Sequence, residues 1–116
     1  VADLTGEISG WGIFSLRKRD GSVLTMEGEV VQALIGDVVV DYRARFQQGD
    51  WFLSSRIVSF DKHDRLVETQ NSTYKLHGRG YKICGTQRFF DLFAIAGISS
   101  AIDALPGECE VLEEFV

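Results

Sequence analysis

Four side chains in this sequence have the chemistry of a nucleophile, a general base or a soft metal ligand: Cys84, Cys109, His63 and His77. A thiolate beside an imidazole would attack an electrophilic carbon, and two thiolates with two imidazoles would complete a tetrahedral zinc site. Cys84 stands two residues before a helix-start signal at Thr86, with Lys82 and Arg88 close in sequence. Cations and a helix N-terminus are the setting that lowers a thiol pKa. The spacing says nothing about a catalytic pair and argues against zinc. Structural zinc sites bring their ligands in close pairs, whereas these four occur singly, and a free cysteine usually packs as a small hydrophobe. Asp61 and Asp64 flank His63 in a turn-like stretch where exposed polar residues need no functional reason. Gly78-Arg79-Gly80 lacks the strand-to-helix context and the Lys-Ser/Thr ending of a phosphate loop. The expectation is a protein with no catalytic residue, no metal site and no cofactor.

Binding is the chemistry left. Small barrels of the oligonucleotide-binding (OB) class hold single strands by phosphate attraction and base stacking, and the pattern here is loosely similar. Arg43, Arg45 and Arg56 are expected on wet strand faces, Lys75, Arg79 and Lys82 gather around Gly78–Gly80, and Trp11, Trp51 and Tyr81 supply candidate stacking rings. The competing reading is protein contact. From Phe89 to Leu105 the chain predicts a helix that is apolar nearly all round, with Phe89, Leu92 and Phe93 on one face and Ile95, Ile98 and Ile102 on a second. A small barrel covers one broad stripe of such a helix, so the other needs a cover: the acidic tail folding back through Val111, Leu112 and Phe115, or a partner protein, or a second copy of the chain through a two-fold helix contact.

The elements that must position these groups are mostly strands. Turn signals recur at short intervals through the first two-thirds of the 116 residues, the pattern of an antiparallel barrel or sandwich. Leu4–Ile8 begins a strand, Gly10-Trp11-Gly12 bends it, and Ile13–Leu16 resumes it. Asp20-Gly21 predicts a type I′ hairpin, because both central residues of that turn need positive φ. Strands are then expected at Val23–Val31, Val38–Phe46, Trp51–Phe60, Leu66–Thr69 and Thr73–His77, with Tyr81–Cys84 as a last short one after a flexible break at Gly78–Gly80. Thr86 is the expected N-cap of the helix and Pro106-Gly107 its stop. The predicted architecture is α+β and mainly β. It is a single domain over residues 1–116: a strongly bent antiparallel sheet, or a small OB-like or SH3-like barrel of about six strands, over residues 3–84, one C-terminal helix over 86–105, and an acidic tail over 106–116.

The formal charge of −5 is unevenly placed. Residues 1–42 hold three cations against seven anions, residues 43–88 nine against four, and residues 89–116 none against six. A basic middle therefore lies between two acidic ends, and any partner would meet one or the other. With 45% hydrophobic and 25% charged residues, disordered and collagenous classes are excluded. The apolar run at 89–105 is too short and too polar to span a membrane, and two cysteines without an apolar leader predict reduced thiols in the cytoplasm. The expected role is a small non-enzymatic binding or adaptor protein acting by protein contact or self-association. Small size and absent motifs extend this to an accessory protein of a mobile element. A single-stranded nucleic-acid binder is the alternative.

Overall fold

A computed structural model of the chain describes residues 3–116. Its elements run β1 (Gly6–Leu16), β2 (Thr25–Met26), β3 (Glu29–Val30), β4 (Gln32–Asp41), β5 (Trp51–Asp61), β6 (Leu66–Thr69), β7 (Thr73–Gly85), α1 (Gln87–Ala96), α2 (Ile98–Ala104) and β8 (Cys109–Phe115). Five of them close a barrel in the order β1-β4-β5-β6-β7, each neighbour antiparallel until β1 meets β7 as a parallel pair. The small, mainly β barrel with a helical C-terminal part is the fold class expected. Its path is a meander in which successive barrel strands are neighbours, unlike the Greek key of the OB fold. The end of β7 also pairs with β8, so the acidic tail is a strand at the edge of the sheet.

Three turns differ from expectation. The hairpin at Asp20-Gly21 forms, but only Gly21 has positive φ; Gly21 N–H donates to Lys18 C=O and Lys18 N–H to Ser22 C=O. That is a type I turn with a glycine bulge, with the Asp20 carboxylate accepting from Ser22 N–H at 2.9 Å. Positive φ at two successive residues occurs instead at Glu27-Gly28, joining β2 to β3 inside the stretch expected to be one strand. Glutamate is a poor marker of the left-handed region, so the sequence hides this turn. The strand expected at Val38–Phe46 is really β4 from Gln32 to Asp41, running through Gly36-Asp37. Asp41 stops it: its carboxylate accepts from the backbone N–H groups of Arg43, Arg45 and Phe46, which offers the chain an alternative to the ladder.

Two apolar cores sit on opposite sides of the barrel wall. Ile8, Trp11, Ile13, Leu34, Val38, Phe52, Val67, Tyr74 and Leu76 fill the interior. Outside the wall, Phe14, Ile35 and Ile83 are covered by Phe89, Phe93, Ile98 and Ala101 from the helices. Thr73–His77 and Tyr81–Cys84 are one continuous strand, and Gly78–Gly80 is its interior rather than a break. Trp11 needs that: a Cβ on Gly80 would stand 2.1 Å from the indole.

The single expected helix is two. Thr86 caps α1 as predicted, its hydroxyl accepting from Phe89 N–H, but Gly97 at φ 87° and ψ 166° separates α1 from α2. Only glycine occupies that region readily. The break lets Phe93 and Ile98 both reach the wall beside Gly12, where a straight helix would carry one of them away.

Candidate functional site

The four reactive side chains do not meet. Cys84 is buried in β7, and the register Gly85↔Cys109 and Cys84↔Glu110 places the two cysteines on opposite faces of the sheet; both are free. Burial pushes the Cys109 thiol up, with Arg17 acting weakly against it, so this thiol is not activated. His63 lies in the turn capped by Asp61. His77 Nε2 is 2.5 Å from Glu7 Oε1, and the second oxygen of Glu7 accepts from the Tyr42 hydroxyl. Tyr42 first, and His77 second, hold the Glu7 carboxyl below its ordinary range, while the same carboxylate raises the Tyr42 phenol. This surface trio ties β1, β7 and the loop after β4 together. Among the described residues no group of three or more His, Cys, Asp or Glu is placed to hold a metal ion.

The basic band disperses. Arg43 and Arg45 lie in the loop after Asp41 rather than on a strand face. Arg43 donates to Asn71 C=O, and Arg45 is 3.3 Å from Asp41. Arg56 pairs with Glu29 at 3.4 Å, Lys75 donates to Asp64 C=O, and Arg79 pairs with Glu114 at 3.6 Å. Lys82 lies opposite Glu113 in the β7–β8 register, and Lys62 reaches that same glutamate. The acidic tail thus neutralises part of the basic middle. Trp11 is fully buried and Tyr81 packs against the helices, so neither offers a stacking face; Trp51, 40% exposed, does.

The helical candidates are mostly spent within the chain. Phe89, Phe93 and Ile98 are core residues, which removes them from the expected interface, and Leu92 and Ile102 are half-buried against the same core. Ile95, at 85% exposure, is the one left in solvent.

A different apolar surface remains open. Residues of β5 alternate, with Phe52 and Ser54 inward and Trp51 and Leu53 outward. Leu53 joins Leu16, Leu24, Val31, Ala33 and Phe90 around a groove of about 280 Å³ between the barrel wall, α1 and the chain flanking the β2–β3 hairpin. Trp51 stands at the edge of Phe90, ring centroids 6.1 Å apart. Leu16 and Gln87 also line a second, larger cleft of about 660 Å³, whose other walls carry Arg17, Lys18, Arg19 and Arg88. Glu108 is the one acid on that cleft among the described residues, held by the Thr86 hydroxyl at 2.6 Å and 4.0 Å from Arg88. Arg17 donates to Gly107 C=O, while Lys18 and Arg19 have no ion pair among the described residues.

This face is not legible in the sequence. Arg17-Lys18-Arg19 is a legible run of cations, but it lies in a segment of net negative charge, and Arg88 joins it only through the fold.

A family model described as Domain of unknown function (DUF6957) matches residues 8–88, and the chain belongs to that family. The matched stretch runs from β1 to the first turn of α1 and so contains nearly the whole barrel. No curated protein and no solved structure matches the chain. No helix among the described residues is long and apolar enough to cross a membrane.

Proposed function

We propose that this protein is a small non-enzymatic binding module that acts by protein contact, and that its contact face is the groove lined by Leu53 and Phe90, with Trp51 at the edge of Phe90. The observation that carries the reading is the apolar groove adjoining a cationic cleft, with Leu16 and Gln87 lining both. Apolar side chains of a partner segment fill the first, and its flanking acidic groups face the second. Half-exposed Trp51 is the type of residue that anchors such contacts. The dispersal of Arg43, Arg45, Arg56 and Arg79 into local pairs favours protein over nucleic acid as the ligand. Two unpaired thiols fit a reducing compartment such as the cytoplasm.

Panning a random peptide display library on the purified protein tests this. Enriched peptides are expected to share an aliphatic or aromatic anchor, to bind Leu53→Glu at least roughly tenfold more weakly, and to bind Val58→Glu, altered away from the groove, as they bind the wild type. Absence of enriched peptides, or equal binding to Leu53→Glu, overturns the reading. A fluorescent single-stranded oligonucleotide bound with a steep salt dependence would replace it with the nucleic-acid one.

A further inference from the structure

The cationic cleft and the acidic edge strand lie side by side. Glu108 lines the cleft, and β8 begins at the next residue, Cys109. β8 is paired with β7 on one side and ends the sheet on the other, so a row of backbone donors and acceptors faces outward. It carries Glu110, Glu113 and Glu114, with Val111 and Leu112 40% and 49% exposed. The pairs it makes on its own barrel, Lys62–Glu113 and Arg79–Glu114, are surface contacts at 3.6 Å, and Glu110 has no ion pair among the described residues. Such exposed pairs are weak enough to be exchanged for others.

We infer that the occupant of the contact face is a second copy of this chain: β8 of one protomer presents its glutamates to Arg17, Lys18, Arg19 and Arg88 of the other, and its exposed Val111 or Leu112 to the groove beside Leu53. This rests on the reading of the groove as a protein-docking face. Both halves of the contact are on one molecule, and they meet where β8 begins, next to Glu108 on the cleft. A closed two-fold pair requires that arrangement, because one patch must then be complementary to itself with each residue meeting the other kind. A symmetric β8-to-β8 ladder is the poorer solution, since it would set acidic strands against each other. The contact is electrostatic at its rim, so salt weakens it.

A charge-swap experiment tests this on the full chain. Light scattering and sedimentation should show a dimer forming at roughly 100 µM in low salt and dissociating at about 1 M salt. Lys18→Glu/Arg19→Glu and Glu110→Lys/Glu113→Lys should each be monomeric, with association at least about tenfold weaker, and an equimolar mixture of the two should recover a heterodimer. Circular dichroism of each variant checks the fold; Lys18→Ala/Arg19→Ala replaces the first if it fails, and Glu110→Gln/Glu113→Gln the second. A wild-type monomer at about 1 mM and low salt, an open-ended assembly, or a dimer indifferent to both reversals overturns the inference. A monomer that still binds display peptides through Leu53 would overturn this inference alone and leave the docking face standing.

Discussion

Trp11 occupies the space that a side chain at position 80 would need: a Cβ on Gly80 would lie 2.1 Å from Cε2 of the indole. The ring also meets Phe115 at 5.3 Å and Phe60 at 6.1 Å between centroids, and its N–H donates to Gly78 C=O. Gly80→Ala should therefore destabilise the protein by about 3 kcal/mol, the upper end for overpacking, because the ring is buried and held by Phe115, Phe60 and Gly78. Urea unfolding followed by tryptophan fluorescence measures this, and a change under about 0.5 kcal/mol would refute the packing argument.

At Gly97 the cost has another origin. Nothing lies within 4 Å of a Cβ placed there, so Gly97→Ala adds no clash and isolates the backbone strain of φ 87°. A loss of about 1–3 kcal/mol is expected, with the helical signal in circular dichroism preserved or increased. A neutral or stabilising result would mean that α1 and α2 join into one helix without cost to the core.

What was legible in the sequence follows from where the physics is local. Thr86 as a cap, the bend around Gly10 and the strands Trp51–Phe60 and Leu66–Thr69 all rest on neighbours in sequence, and all are in the fold. The strand expected through Phe46 fails because its alternation of apolar and polar residues is outbid by one carboxylate at Asp41. Gly78–Gly80 reads as a break for a different reason: Gly80 answers to Trp11, nearly 70 residues away, and no local signal records that. The candidate site was the least legible part, since Leu16, Leu53 and Phe90 come from three elements and the cations from two.

Acid should expose the carboxylate contacts. Tyr42 and then His77 hold Glu7 below the ordinary glutamate range; at Asp41 burial opposes the charge, but Arg45 and the N–H groups of Arg43, Arg45 and Phe46 outweigh it and hold the carboxyl below the ordinary aspartate range. A carboxyl with a lower pKa in the folded state binds protons less readily there. Its stabilisation is complete above the unfolded value and disappears as pH falls through the folded one. Wild-type stability should thus fall below about pH 4.5, and Glu7→Gln should flatten the decline. Unfolding midpoints at a series of pH values decide it, and parallel curves for the two proteins would exclude a role for Glu7.

Phe89 and Ile95 separate core from surface on one helix. Phe89→Ala should cost about 3–5 kcal/mol, because the ring is fully buried against Phe14 and Phe93. Ile95→Lys should change stability by under about 0.5 kcal/mol. Thermal unfolding compares them, and similar losses for both would show that Ile95 is covered in solution by something outside the chain.

The parallel pairing of β1 with β7 joins Gly6 to Tyr74 and Leu16 to Gly85. Contacts between residues so far apart reward the chain only after a long loop has closed, so the closing seam sets the pace of folding, in the millisecond-to-second range typical of nonlocal β topologies. During synthesis, the β1 side of that seam must wait for β7 to leave the ribosome, and until then β1 is an unpaired edge open to other chains.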